Sequence, residues 1–83
     1  MSYTKIYSGN SRQILAAGLD DAKAYLSEER AECIIAALIE ACRIDGVRYT
    51  VAHYHFPLKF AGIQGVPAAA LMNEAIKRYR NAR

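Results

Sequence analysis

Val47-Arg48-Tyr49-Thr50-Val51-Ala52-His53-Tyr54-His55-Phe56 is the stretch on which the fold class of this chain turns. β-Branched and aromatic side chains dominate it, and such residues suit a pleated, half-buried surface. Read with period two, Val47, Tyr49, Val51, His53 and His55 face one way. Arg48, Thr50, Ala52, Tyr54 and Phe56 face the other, and Pro57 ends the ladder or marks an edge. This pattern predicts a strand over 47–56. Residues 3–7 (Tyr-Thr-Lys-Ile-Tyr) have the same character and are closed by Ser8-Gly9-Asn10, which predicts a short first strand. Two strands joined through long helical segments pair most simply with each other. The expected fold is therefore α+β: a two-stranded sheet packed on about three helices, in the order β-α-α-β-α. It forms a single domain over residues 1–83.

Between and after these strands the periodicity changes to that of helices. Asn10 stands three residues before Gln13, a loose capping-box arrangement, and Leu15, Leu19, Ala22 and Leu26 then recur on one face. Gly18 costs such a helix about 1 kcal/mol relative to alanine and opens the option of a break into two shorter helices. Ser27-Glu28-Glu29 is the clearest boundary in the chain. A serine N-cap followed by carboxylates satisfies free N–H groups and complements the helix dipole. The second helix should run to Ile44, with Gly46 as a left-handed stop. Its polar residues Glu29, Glu32, Glu40 and Arg43 gather on one arc, leaving an apolar circumference suited to the centre of the domain. Pro67 fits the first turn of a last helix. Along it Ala68, Leu71, Met72, Ala75, Ile76 and Tyr79 form an apolar stripe, and Glu74 and Arg78 pair at i, i+4.

Composition bounds what such a chain can do. It has 83 residues, 53% of them hydrophobic and 23% charged, a globular balance rather than that of a disordered tail. A chain this short buries only about 60–65% of its unfolded surface, so its core is modest. The longest uncharged run, residues 60–73, has 14 residues, short of the roughly 20 that span a bilayer. The first seven residues carry no apolar core of a signal peptide. Cys33 and Cys42, nine residues apart in one helix, fall on opposite faces and cannot bridge each other. Two thiols read as buried and reduced, in a chain without an export signal, imply a reducing cytoplasm.

Charge is unevenly divided. Residues 1–45 carry five basic and seven acidic side chains, whereas residues 46–83 carry six basic and one acidic. The net charge of +3 thus hides a polarised chain with four cations in its last seven residues. These cations suit the negative end of a helix dipole, and they also offer a patch for phosphates or an acidic protein face.

Candidate chemistry is sparse. A strand would place His53 and His55 on one face about 6–7 Å apart, but zinc needs a further ligand and no Asp or Glu adjoins them. No metal or cofactor is expected. Gly62-Ile63-Gln64-Gly65 ahead of a helix resembles the Gly-x-x-Gly clamp of KH RNA-binding domains, which implies a close approach to phosphates. The resemblance extends over those four residues and the helix alone. Its two middle positions carry no basic residue, and the segment before it reads as a strand where the clamp expects a helix. Read from its residues, the motif is a two-glycine turn ahead of Pro67. Ser8-Gly9-Asn10-Ser11 lacks the setting of a nucleophile elbow. Asp20 and Asp21 are neighbours on a helix and diverge. Catalysis is not expected.

The sequence therefore points to a small non-enzymatic binding or regulatory protein that occupies a surface on a larger protein or complex with an acidic face. An inhibitor carried by a mobile element is one form this expectation takes. The expected contacts are Leu58, Phe60 and Ile63 from an apolar connection, rimmed by Lys77, Arg78, Arg80 and Arg83. The alternative is nucleic-acid binding through the basic C-terminal helix. A third reading is a homodimer joined through alanine-rich faces at Ala36, Ala37 and Ala41 or at Ala68, Ala69 and Ala70.

Overall fold

A computed structural model of the chain describes residues 6–54, 58 and 61–82. These residues form four helices: α1 (Ser11–Leu26), α2 (Glu28–Asp45), α3 (Val47–Tyr54) and α4 (Val66–Asn81). Among the described residues there is no strand, only a single bridge between Leu58 and Ile63. The fold is all-α, which corrects the α+β expectation and its two-stranded sheet.

The correction rests on α3. Its residues also fit a period of 3.6: Val47, Thr50, Val51 and Tyr54 are turned inward, while Arg48, Tyr49, Ala52 and His53 are exposed. Thr50 is fully buried, and its hydroxyl donates to the Gly46 carbonyl at 2.8 Å. The same carbonyl accepts the Thr50 N–H at 3.1 Å, so the buried hydroxyl goes into the helix without an orphaned group. β-Propensity measures the fit of a side chain to a strand neighbour, and here the neighbouring surface is α2. At the other end, Ile6 and Tyr7 lie in irregular structure. The Tyr7 hydroxyl donates to Asp21 Oδ2 at 2.6 Å, holding this segment against α1. Tyr3, Thr4, Lys5, His55 and Phe56 lie outside the described residues.

The helix boundaries follow local chemistry. Asn10 Oδ1 accepts the Gln13 N–H and Gln13 Oε1 accepts the Asn10 N–H, both at 2.9 Å, which completes the capping box of α1. That helix is continuous through Gly18. The break considered there does not occur, because Gly18 is buried where α1 meets Val66 and Ala70 of α4. A single residue, Ser27, joins α1 to α2; its hydroxyl accepts the Arg30 N–H at 3.1 Å while Glu28 and Glu29 occupy the first turn. A single residue, Gly46, likewise joins α2 to α3. Ser27 (φ 97°, ψ 154°) and Gly46 (φ 92°, ψ 156°) share one left-handed backbone shape, so both bends are made in the same way.

Helix α2 packs against all three other helices. It buries Ala31, Ile34, Ile35, Leu38 and Cys42 along one stripe. Cys33 lies on the opposite side and is exposed, so only one of the two thiols is buried, and both are free. The core joins these residues to Ala22 of α1 and to Ala68, Leu71, Met72 and Ala75 of α4. Leu58 and Ile63 close it from the connection before α4. Five core positions are alanine, and together with Gly18 they let helix backbones approach closely. The Cα radius of gyration is 12.1 Å, close to the roughly 12 Å of a compact chain this long.

Candidate partner-binding surface

The sequence candidates fall into three groups in the structure. Leu58 and Ile63 belong to the core, 0% and 2% exposed. The Leu58 N–H donates to the Ile63 carbonyl at 3.1 Å, and the Leu58 carbonyl accepts the N–H groups of Ala61 and Gly62. This tight turn rolls both side chains inward beneath the helices, so neither contributes to an exposed apolar patch. Phe60 and Arg83 lie outside the described residues. The third group, Lys77, Arg78 and Arg80, sits on α4 and splits again by what each cation touches.

Arg78 is half-exposed, and its guanidinium is taken up by partners within the molecule. Its guanidinium donates to both carboxylate oxygens of Glu32 on α2, at 2.6 and 3.1 Å, and to Glu74 Oε2 on its own helix at 2.8 Å. Lys23 of α1 approaches Glu32 at 3.9 Å. This cluster ties α1, α2 and α4 together. The Arg78 hydrogen bond holds the Glu32 carboxyl below its ordinary range, and Glu32 and then Glu74 raise the Arg78 guanidinium above its own. With its donors committed to a forked carboxylate, Arg78 acts as a fastener between helices. Glu32, which the sequence reading treated only as a polar face residue, is its counterpart. Nothing in the local spacing links residues 46 apart.

Lys77 and Arg80 point the other way. Lys77 is exposed and only loosely paired with Glu74, at 3.7 Å. Arg80 is exposed and has no ion pair among the described residues. With Asn73, Ile76 and Asn81 they line a shallow depression of about 270 Å³ along the outer side of α4. Ile76 is half-buried and packs against the core, while both asparagines are exposed. Positions 73, 77, 80 and 81 recur at i, i+4, i+7 and i+8, one polar stripe of the helix. The sequence reading passed over Asn73 and Asn81, although the complement of the apolar stripe marks them.

The other candidates are not assembled into a reactive group. His53 is on α3, stacked on Tyr49 with ring centroids 5.4 Å apart, and His55 lies outside the described residues. Among the described residues no three His, Cys, Asp or Glu side chains are grouped to hold a metal ion. Among them, too, no helix is long and apolar enough to cross a membrane. Gly62 and Gly65 adopt left-handed conformations in the turn before α4, and Ile63 between them is buried. Comparison with known proteins finds no family model, no curated protein and no solved structure that matches this chain.

Proposed function

We propose that this chain is a non-catalytic binding protein that acts by docking on a larger protein partner through the outer face of α4. The observation that carries the reading is the division of labour among the cations of that helix. Arg78 is consumed by Glu32 and Glu74, whereas Lys77 and Arg80 extend outward beside the Ile76 depression. An apolar side chain at the edge of a polar, positively charged stripe combines the two kinds of contact that protein–protein interfaces use. Leu58 and Ile63 play no part in it, being needed in the core.

A phosphate backbone is the weaker match. A nucleic-acid strand presents a charge about every 3.4 Å, and binding grows with the number of phosphates neutralised. Two outward cations on α4 neutralise few of them, and Ile76 has nothing to offer a phosphate. The test is affinity capture from a nuclease-treated lysate of the source cells, comparing the wild-type chain with the double substitution Lys77→Glu and Arg80→Glu. The reading expects a stoichiometric protein that is retained by the wild type, lost at the double substitution and indifferent to nuclease. Capture that disappears with nuclease, or that ignores both substitutions, overturns it.

A further inference from the structure

We infer that the partner element seated on α4 is an acidic segment carrying one large apolar side chain, which enters the depression over Ile76 while flanking carboxylates meet Lys77 and Arg80. This inference rests on the docking reading above and specifies its chemistry. Three features of the surface select that ligand. The depression is shallow and, at about 270 Å³, is of a size to take one bulky side chain. Its half-buried Ile76 supplies an apolar contact at one point only, so a partner with a broad apolar face would leave most of that face against polar groups. Lys77 and Arg80 are one turn apart, and they put positive charge beside the depression without an acidic residue lining it.

Asn73 and Asn81 bracket the same stripe eight residues apart, about 12 Å along the helix axis. An exposed amide both donates and accepts, so these ends suit a peptide backbone or a carboxylate. Charge complementarity thus selects a carboxylate-rich partner, and the single apolar contact distinguishes it from a simple polyanion. Glu74, the one acidic residue of α4, is largely buried, with Oε2 held by Arg78 and Oε1 3.7 Å from Lys77, so an incoming carboxylate shares Lys77 with it and has Arg80 to itself.

The inference is tested by fluorescence anisotropy with four labelled probes at low and at physiological salt. The first is a twelve-residue peptide in which glutamates flank a single leucine. The second replaces that leucine with serine, the third replaces the glutamates with glutamine, and the fourth is a twelve-nucleotide oligothymidine. The first probe should bind the wild-type protein, and each peptide change should weaken it by about an order of magnitude. Binding should also weaken with salt, as exposed ion pairs are screened within about 8–10 Å. Arg80→Gln and Asn73→Ala alter exposed side chains and leave the core intact, and each should weaken the first probe without changing the far-ultraviolet circular dichroism. Equal binding of the leucine and serine peptides overturns the apolar anchor. Tighter binding of oligothymidine than of any peptide overturns the acidic-protein ligand. If no peptide binds while lysate capture still depends on Lys77 and Arg80, the ligand chemistry is wrong and the docking face stands. If capture is also indifferent to those residues, both fall.

Discussion

Replacing Gly18 with alanine should destabilise the protein even though it improves the helix. In an exposed helix interior, glycine to alanine contributes about 1 kcal/mol of stability through backbone entropy. Here the added Cβ would sit 2.7 Å from Val66 Cγ1, 3.0 Å from the Val66 carbonyl oxygen and 3.2 Å from Ala70 Cβ. The methyl group can rotate away, but the carbonyl belongs to the first turn of α4 and can yield only if the helices separate. Overpacking of this kind costs about 1–3 kcal/mol, and here a backbone rather than a flexible side chain must move. Set against the propensity gain, the net change expected is about 1 kcal/mol of destabilisation. For a domain of this size that lowers the melting temperature by about 4–8 °C. Urea unfolding followed by circular dichroism measures it as a lower midpoint at unchanged slope. Two companions identify the cause. Adding Val66→Ala to Gly18→Ala removes the nearest contact and should recover part of the loss. Ala24→Gly, at an exposed position of the same helix, should cost about 1 kcal/mol by propensity alone. A raised midpoint for Gly18→Ala would refute the close contact of α1 and α4 and with it the packing of the core.

The two one-residue joints give opposite expectations. Ser27→Gly should stabilise by about 1 kcal/mol, since it relieves a left-handed serine at 1–3 kcal/mol and loses only a few tenths from the cap. Gly46→Ala should destabilise by a similar amount although nothing lies within 4 Å of the new Cβ, because the cost is in φ alone; thermal unfolding reads both. Glu32 has its pKa lowered in the folded state, so its contribution is present above its ordinary value of 4.5 and is lost as pH falls through the folded value. The stability difference between wild type and Glu32→Gln, on the order of 1 kcal/mol for a half-exposed pair, should therefore shrink on titrating from about pH 5 to about pH 2; a constant difference counts against the Arg78 clamp. In the native protein a thiol reagent should label one cysteine, Cys33, and reach the buried Cys42 only on unfolding; equal native labelling contradicts the placement of α2.

The helices α1, α2 and α4 were legible because their signals are local. Asn10 with Gln13, Ser27 with Glu28 and Glu29, and Gly46 all act within one turn of the residue they cap, and the buried stripe of α4 matches its i, i+3, i+4 spacing. Helix α3 was misread because Val47 and Val51 fit either period, and only the sides taken by Tyr49, Thr50, His53 and Tyr54 separate the two. Which of them are buried depends on what lies opposite, a strand or α2, and short β-branched segments carry no such information. Leu58 and Ile63 show the same limit at the candidate site. Large apolar residues in a connection are contacts if exposed and core if rolled inward, and the turn that rolls them inward is closed by hydrogen bonds between them.

The charge pattern makes the distinction most sharply. Sequence alone determined that the second half is basic, that its last helix is amphipathic and that the chain holds enough apolar residues for one small core. Composition and periodicity are properties of the chain and survive any fold. Tertiary structure decided which cations are available. Arg78 and Arg80 are two residues apart and alike in type, yet one is folded onto Glu32 and the other faces solvent. Residues two apart on a helix point in directions about 200° apart, and only the position of α2 decides which direction is inside.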